Sequence, residues 1–237
     1  MSDDATIRRQ LEVVSTATLT SQLMKRGLRN QFIQGVRAMN RPGRNLVGPA
    51  TTLRYIPARE DLDVMEVFED PEHPQRKAVE TVPPGHVLVM DCRGDASAAS
   101  AGGILMTRMK VRGAAGLVTD GGLRDCADIQ DMDWPVYAKA PSAPTNLTKH
   151  HAVDIDVPIG CGEVPVYPGD WLLGDLDGVV VIPQEIVAEV AADSFAQHQF
   201  EEWVMAEVEA GASIKGLYPP NEATRARYAA WREAQRG

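Results

Sequence analysis

Apolar residues recur at helical spacing near both ends of the chain. In the N-terminal segment, TIRRQLEVVSTATLTSQLMKRG, the spacing predicts helix over about residues 4–27, with Thr18 or Thr20 available to cap a second helix. The pattern becomes helical again over residues 184–211, and then over residues 221–235, where an asparagine stands at the capping position. We therefore expect helical regions at the two ends of the fold.

Short apolar runs separated by turn residues fill the middle of the chain and are typical of strands. The predicted strands cover residues 43–57, 86–91, 114–120, 134–142, 153–159, 164–168 and 178–183. The segment over 58–86 is polar and proline-rich, and it begins with a candidate short helix. Because no internal repeat is present, strands between helical ends predict one domain.

One part of this middle region predicts a βαβ unit. The run HVLVMD, over 86–91, is almost continuously apolar, as strands covered on both faces are. A loop of small residues follows over 92–103, then a helix over 104–112 and a second apolar strand over 114–120. Such a unit joins two parallel strands in a right-handed sense, so we expect an α/β fold.

Composition narrows the classes of function. The 237 residues are 44% hydrophobic and 24% charged, which is ordinary for a globular protein with a buried core. The formal net charge is -9 and no Lys/Arg run is longer than two, so we expect no nucleic-acid partner. The three cysteines form no CxxC pair, which argues against a disulfide framework or a structural zinc site.

Targeting signals are not evident in the sequence. The first ten residues, MSDDATIRRQ, lack the apolar core of a signal peptide, and no window is apolar over a membrane-spanning length. These features predict a cytoplasmic protein that has no membrane partner.

Two adjacent glycines, Gly102 and Gly103, stand where the predicted helix begins after the small-residue loop. Amide N–H groups at a helix start have no intrahelical acceptor, and glycines allow an anion to approach them closely. The pair therefore indicates a site for a carboxylate or phosphate, although a tight strand-to-helix turn explains it as well. The glycine spacing does not match a nucleotide-binding fingerprint.

A charged pair, Arg124 and Asp125, follows the second strand of the unit in the stretch VTDGGLRD. Ligands of α/β sheets usually bind at the carboxyl ends of the strands. The planar guanidinium of Arg124 suits a carboxylate, and the oxygens of Asp125 suit Mg²⁺ or Mn²⁺. A simpler interpretation fits equally well: Asp125 caps the following CADIQDMD segment and Arg124 is a solvated charge.

The segment GGILMTRMKVRGAAGLVTDGGLRD resembles the signature of the RraA-like family. The similarity continues in LVGPATTLRY, in PVYAKAPSAPTN and in VDIDVPIGCGEVPVYPGDWLLGDLDGVVVIP, so that it covers about residues 10–212. The family contains the regulator of ribonuclease activity A and metal-dependent 4-hydroxy-4-methyl-2-oxoglutarate/4-carboxy-4-hydroxy-2-oxoadipate aldolases. The resemblance implies an α/β fold, a swivelling β/β/α domain with helical N- and C-terminal extensions. It implies a single domain over residues 1–237, whose C-terminal extension covers about 213–237.

The resemblance to the aldolase branch implies roles for particular residues. Asp125 corresponds to the ligand of a divalent metal, Mg²⁺ or Mn²⁺, and Arg124 to the residue that contacts the 2-oxo acid. The pyruvyl carboxylate is held by the backbone amides of Gly102, Gly103, Ile104 and Leu105. The resemblance also implies a homotrimer or homohexamer with active sites between subunits. A glutamate from the C-terminal helix of a neighbouring subunit completes the metal's outer sphere. The alignment puts Glu201 there, with Glu202 one residue away.

One position departs from the aldolase pattern. Gly103 stands where the aldolases commonly carry a carboxylate that helps to organise metal-bound water. Asp91, Asp95 and Asp120 are the candidates to replace that carboxylate.

The resemblance thus implies a metal-dependent aldolase or decarboxylase. It would release pyruvate, through a stabilised enolate, from a 2-oxo acid such as 4-hydroxy-4-methyl-2-oxoglutarate or oxaloacetate. One alternative is another lyase, a dehydratase or a hydrolase that acts on a sugar-acid-derived 2-oxo acid on the same scaffold. The other is a non-catalytic regulator of RNA degradation that binds a protein partner. The long helix with Glu201 and Glu202 favours the enzyme, because the short regulators end before it.

Overall fold

Seven α-helices and thirteen strands are found in residues 4–235, the part of the chain that this computed structural model describes. The helices are α1 (Asp4–Leu11), α2 (Thr16–Lys25), α3 (Pro74–Thr81), α4 (Gly103–Val111), α5 (Cys126–Gln130), α6 (Val187–Glu209) and α7 (Glu222–Ala234). The strands are β1 (Arg37–Ala38), β2 (Leu46–Pro57), β3 (Val87–Asp91), β4 (Ala99–Ala101), β5 (Gly116–Thr119), β6 (Gly122–Leu123), β7 (Val136–Ala138), β8 (Ala140–Pro141), β9 (His150–Ile155), β10 (Ile159–Cys161), β11 (Val164–Val166), β12 (Trp171–Gly174) and β13 (Val179–Ile182). Residues 1–3 and 236–237, which the predicted domain includes, lie outside the described part.

The largest sheet has the strand order β1-β7-β5-β3-β2-β12-β13, with β9 paired to β2 beside this path. Its centre, β7-β5-β3-β2, is parallel, whereas β12 and β13 form an antiparallel hairpin. All residues of β5 and the first four of β3 are buried, as expected for strands covered on both faces. The predicted βαβ unit is confirmed, because α4 lies between the parallel neighbours β3 and β5 in the chain.

A second, three-stranded sheet was not predicted from the sequence. The segment over 92–103, predicted as a loop, contains β4, and the chain after β5 leaves the main sheet and forms β6. Strands β4, β6 and β8 are parallel neighbours in this small sheet. The close packing there requires a glycine at Gly122, since a Cβ would lie 2.6 Å from Ser142 Cβ and 2.8 Å from the Ala98 carbonyl oxygen.

The N-terminal segment forms two helices that pack against α6. The second, α2, is capped by Ser15 rather than by Thr18 or Thr20. The Ser15 hydroxyl accepts a hydrogen bond from the Thr18 amide at 3.1 Å. Leu11 and Leu19 are fully buried in a cluster that includes side chains of β12, β13 and α6. Burial of this apolar face holds both short helices on the sheet.

The C-terminal helices agree with the sequence pattern. Helix α7 begins after Asn221, whose side chain accepts a hydrogen bond from the Thr224 amide at 2.9 Å. Phe200 and Trp203 of α6 pack against Tyr228 of α7, with ring centroids 5.0 and 5.4 Å apart. No helix within residues 4–235 combines the length and the apolar character needed to cross a membrane.

The polar segment between β2 and β3 contributes to the core despite its composition. A 3₁₀ turn, Met65–Glu69, stands near its start, and α3 near its end begins with a proline in the first turn. Ala78 and Val79 of α3 are buried beside Leu88 of β3 and Met106 of α4. This packing fixes α3 next to α4, the helix that follows the two candidate glycines.

Candidate functional site

The small sheet brings the two candidate motifs together. Strand β4 leads directly into Gly102 and Gly103, and β6 leads directly into Arg124 and Asp125. Because the two strands are parallel neighbours, their carboxyl ends meet at the same edge. The Arg124 amide also donates a hydrogen bond to the Ala101 carbonyl oxygen at 3.2 Å, which ties the two segments side by side.

The Asp125 carboxylate lies at the N-terminus of α4. Its Oδ2 accepts a hydrogen bond from the Gly103 amide at 2.8 Å, and a negative charge is favourable at this end of a helix. Asp125 occupies the N-cap position of α5, as the simpler interpretation expected, but its side chain makes no capping hydrogen bond to that helix and bonds to the start of α4 instead. Its other oxygen, Oδ1, accepts no hydrogen bond from any described residue.

Backbone conformation and close packing shape this corner. Asp125 has φ 63° and ψ 42°, a left-handed conformation that costs on the order of 1 kcal/mol for a residue with a Cβ. A Cβ on Gly102 would lie 2.6 Å from Asp125 Oδ2 and 3.0 Å from Arg124 Nε. Glycine at position 102 therefore allows both charged side chains to lie over the start of α4.

The Arg124 guanidinium remains available to a ligand. Its Nε lies 4.0 Å from Asp125 Oδ2, and 49% of its side chain is exposed. An ion pair this long and this exposed contributes little to stability. The terminal nitrogens of Arg124 donate no hydrogen bond to the residues described, so the planar fork can engage a carboxylate bidentately.

A cleft of about 600 Å³, including its solvent-open mouth, lies over the corner. The cleft is lined by five of the residues that the sequence predicted to contact a metal or substrate: Gly102, Ile104, Leu105, Arg124 and Asp125. Gly103 borders a shallow depression beside the cleft instead. The further lining residues, which sequence reasoning missed, include Phe68, Gln75, Arg76, Thr145 and Asn146.

Two titratable groups near the cleft have shifted pKa values. Burial lowers the pKa of Arg76; the neighbouring Tyr55 opposes this shift and the positive charge of Arg124 adds to it. Burial, together with the negative charge of Asp125, raises the pKa of the Cys126 thiol. Cys126 is therefore protonated at neutral pH and is not an activated nucleophile.

The three carboxylates expected to replace the one missing at Gly103 lie elsewhere. Asp120 is 3% exposed and accepts hydrogen bonds from three backbone amides, and burial raises its pKa. Asp91 and Asp95 each accept a hydrogen bond from the amide two residues ahead. These three carboxylates hold turns of the backbone together, and none of them lines the cleft or the depression beside Gly103, so the structure gives no support to a replacement by one of them.

Asp128 is the carboxylate that stands beside Gly103. Its Oδ2 lies 3.4 Å from the position that a Gly103 Cβ would take. It belongs to the first turn of α5, three residues after Asp125, and it borders the depression that Gly103 and Ile104 also line. Asp128 was not predicted from the sequence. The Asp-x-x-Asp spacing could have indicated the pair, because residues three apart share one side of a helical turn.

Glu201 does not meet the cleft within one protomer. It lies on α6 and accepts hydrogen bonds from Thr18 at 2.8 Å, Gln197 at 2.7 Å and Tyr218 at 2.9 Å. Glu202 is the freer of the two glutamates, with 67% of its side chain exposed and His198 3.6 Å away. A role for Glu201 at a neighbouring subunit's metal stays a prediction.

The residues of the corner fit one mode of divalent-metal binding. Among residues 4–235, no three His, Cys, Asp or Glu side chains cluster closely enough to enclose an ion. Asp125 is the one carboxylate that lines the cleft, and its Oδ1 is free of hydrogen bonds from described residues. Mg²⁺ is commonly held by one or two carboxylates, with waters and substrate oxygens filling the other positions. Asp125 is thus suited to hold such a cation together with a chelating substrate.

Relatives with known names resemble this chain over part of its length. A Halalkalibacterium halodurans protein named "Putative 4-hydroxy-4-methyl-2-oxoglutarate aldolase" is 35% identical over 139 residues, which is 59% of this chain and 60% of that protein. The 4-hydroxy-4-methyl-2-oxoglutarate aldolase of Thermus thermophilus is 33% identical over 120 residues, which is 51% of this chain and 72% of the relative. The chain therefore spans less than two thirds of the Halalkalibacterium protein.

Solved structures show the same fold, and a family model matches most of the sequence. Streptomyces coelicolor RraAS2, described as an unusual member of the RNase ES inhibitor RraA protein family, superposes with a TM-score of 0.73 at 30% identity. The match covers 85% of this chain and 96% of that one. An uncharacterized protein from Pseudomonas syringae pv. tomato superposes with a TM-score of 0.76 at 23% identity, over 91% of this chain and 98% of the other. The RraA-like model, described as Aldolase/RraA, matches residues 16–181, and the chain belongs to the RraA-like family.

Proposed function

We propose that the protein is a divalent-metal-dependent lyase that cleaves a carbon–carbon bond of a 2-oxo acid and releases pyruvate. The observation that carries the proposal is the convergence of Arg124, Asp125 and the start of α4 on one cleft. Arg124 supplies a cation for a negatively charged oxygen, Asp125 supplies a carboxylate for a metal, and the start of α4 supplies unpaired amides for the substrate carboxylate. The aldolase names of two relatives support the same reaction class.

The chain's own groups bind the pyruvyl half of the substrate. The amides of Ile104 and Leu105 precede the first intrahelical hydrogen bond of α4, which the Met106 amide makes, so they are free to hold the substrate carboxylate. The Arg124 guanidinium donates to the oxygen on which negative charge develops as the enolate of pyruvate forms. Losing one such preoriented donor commonly costs on the order of a hundredfold in rate.

Asp125 is the residue that would hold a divalent metal. A bound Mg²⁺ or Mn²⁺ would supply Lewis-acid assistance at the keto group. Retro-aldol cleavage gives pyruvate and a carbonyl compound, and decarboxylation of an oxaloacetate-like substrate gives pyruvate and CO₂. Both reactions pass through the enolate of pyruvate, so one arrangement of Arg124 and Asp125 serves either.

The proposal includes assembly as a homotrimer or homohexamer with the partner subunit's Glu201 near the cleft. The hydrogen bonds that Glu201 accepts from Thr18 and Tyr218 hold its carboxylate in a defined place on the protomer surface. A monomer found by light scattering at assay concentration would overturn this part of the proposal.

Replacing Asp128 by asparagine is expected to lower kcat on the order of a hundredfold while metal binding persists, because Asp128 is placed to hold or move a proton beside Gly103. The measurement is steady-state pyruvate release. Asp131→Asn, which removes a carboxylate from the exposed end of the same segment, is the matched control. Full activity of the Asp128 variant would remove Asp128 from the reaction.

The function itself is tested by screening 2-oxo acids for pyruvate release through a coupled dehydrogenase. Oxaloacetate and 4-hydroxy-4-methyl-2-oxoglutarate are the first substrates, each with Mg²⁺ or Mn²⁺ and with EDTA. We expect turnover with either metal and its loss in EDTA. Pyruvate release from none of the substrates would contradict the proposal and favour other chemistry, or a regulatory role, on this fold.

A further inference from the structure

The cleft contains a second arginine that the proposed reaction does not use. Arg76, on α3, lines the cleft, and none of the ion pairs within residues 4–235 includes it. Its guanidinium Cζ lies 4.2 Å from the centroid of the Phe68 ring. A partly buried guanidinium without an anionic partner loses hydration and regains little of that free energy from the ring alone. The arrangement therefore leaves Arg76 ready for an anion.

The position of Arg76 is fixed relative to the rest of the cleft. The preceding residue, Gln75, is 2% exposed, and its Nε2 donates a hydrogen bond to the Ser100 carbonyl oxygen at 2.7 Å. Ser100 belongs to β4, the strand that leads into the glycine-rich start of α4. Because the first turn of α3 is tied to β4 and Phe68 covers the guanidinium plane, the fork of Arg76 is held at a defined place.

The NH₂ group of a buried side-chain amide in the same cleft also lacks a hydrogen-bond acceptor. Asn146 is 4% exposed, and its Nδ2 finds no acceptor in the described part of the chain. Its Oδ1 accepts a hydrogen bond from the Thr145 hydroxyl at 3.2 Å, which leaves the NH₂ group as the free end. An unpaired buried donor is unfavourable, and an acceptor oxygen of a ligand would satisfy it.

The charges of the cleft are unbalanced. Arg76 and Arg124 contribute two positive charges and Asp125 contributes one negative charge. Mutual repulsion of the two guanidinium groups is relieved when an anionic group neutralises each of them. A monocarboxylic 2-oxo acid has one carboxylate, which the start of α4 already binds beside Arg124, so no anionic group of such an acid is left for Arg76.

We propose that Arg76, assisted by the Asn146 amide, is the specificity site that binds the second carboxylate of dicarboxylic 2-oxo acids such as those named above. The inference rests on the proposed function for the placement of the first carboxylate at the start of α4. A carboxylate matches the planar fork of Arg76 and carries acceptor oxygens for the Asn146 NH₂ group. Arg76 is thus a specificity residue that touches the substrate at the end remote from the 2-oxo group.

The test compares the binding of two acids of equal length by titration calorimetry in Mg²⁺. 2-Oxoglutarate carries the second carboxylate, and 2-oxopentanoate carries a methyl group in its place. We expect the wild-type protein to bind 2-oxoglutarate about 10- to 100-fold more tightly than 2-oxopentanoate, because a charge-assisted hydrogen bond to a carboxylate contributes affinity of that size. In Arg76→Gln the preference should disappear while the affinity for 2-oxopentanoate stays at the wild-type value.

Two further variants make the result specific. Lys77→Gln removes one positive charge from the same helix, outside the cleft, and should keep the full preference. Arg76→Lys keeps the positive charge without the planar fork, so it should keep part of the preference for 2-oxoglutarate. If the glutamine variant does not fold, the lysine variant serves as the test.

An unchanged preference in both Arg76 variants, or equal weakening of the binding of both acids, would overturn the proposal. An Arg76-dependent preference without any pyruvate release would uphold the dicarboxylate site and reject the lyase. If neither acid binds in Mg²⁺, both fail.

Discussion

Replacing Asp125 by alanine is expected to abolish metal-dependent turnover, with a loss of at least about 100-fold in kcat/KM. Asp125 is the carboxylate that lines the cleft beside the Arg124 guanidinium, and its Oδ1 is free while Oδ2 holds the Gly103 amide. Removing it takes away both the metal ligand and the negative charge at the start of α4. Pyruvate release with saturating Mg²⁺ is the measurement.

Asp125→Asn distinguishes the role of Asp125 as a metal ligand from its role in capping α4. Asparagine accepts the hydrogen bond from the Gly103 amide and tolerates the left-handed backbone at position 125, so the variant should be nearly as stable as the wild type. It lacks the charge, so it should remain inactive. Asp131→Asn serves again as a control for the loss of one acidic group. Recovery of wild-type activity in Asp125→Asn would show that position 125 acts only as a cap.

Arg124→Gln is expected to reduce kcat/KM about 100-fold and to abolish inhibition by pyruvate. The Arg124 side chain is half exposed and its terminal nitrogens are free of hydrogen bonds to described residues, so its contribution is made to the ligand rather than to stability. The melting temperature should change little, and the affinity for Mg²⁺ alone should be retained. Inhibition constants for pyruvate, measured beside the rates, separate binding from chemistry.

Arg108→Gln is the matched control for this variant. Arg108 lies on α4 and pairs with Glu80 at 2.7 Å, at an exposed position that does not line the cleft. Its loss should leave kcat and pyruvate inhibition unchanged. If Arg124→Gln retained the wild-type inhibition by pyruvate, the guanidinium would not belong to the substrate site.

The central βαβ unit could be predicted because its strands are uniformly buried. Strands β3 and β5 carry apolar residues on both faces of the sheet. A continuous apolar run between turn residues therefore indicates a buried strand, whichever residues face each side. Strands β4 and β6 could not be predicted, since they have three and two residues and consist of alanine, serine, glycine and leucine. Their pairing depends on close backbone contacts, such as those around Gly122, which no local pattern records.

In the candidate site, too, the residues of a local sequence motif could be predicted, and those placed by packing could not. Arg124, Asp125 and the start of α4 stand in one continuous motif of the sequence, and the small sheet places them together. Arg76 was missed because it lies in a polar segment whose helix is fixed by packing of Ala78 and Val79 rather than by a chemical motif. Asn146 was also missed, because it lies far from this motif in the sequence. It reaches the cleft because residues next to it bond to β4.

We propose that Arg124 and Asp125 form one metal-assisted site for a 2-oxo acid, and everything else in the proposed reaction depends on that site. The most direct measurement is the titration of oxalate, a stable planar analogue of the pyruvate enolate, into wild-type and Asp125→Ala protein. We expect the wild-type protein to bind oxalate in Mg²⁺ but not in EDTA, and the variant to bind it under neither condition. Equal oxalate affinity with and without metal, or undiminished binding by Asp125→Ala in Mg²⁺, would contradict the claim.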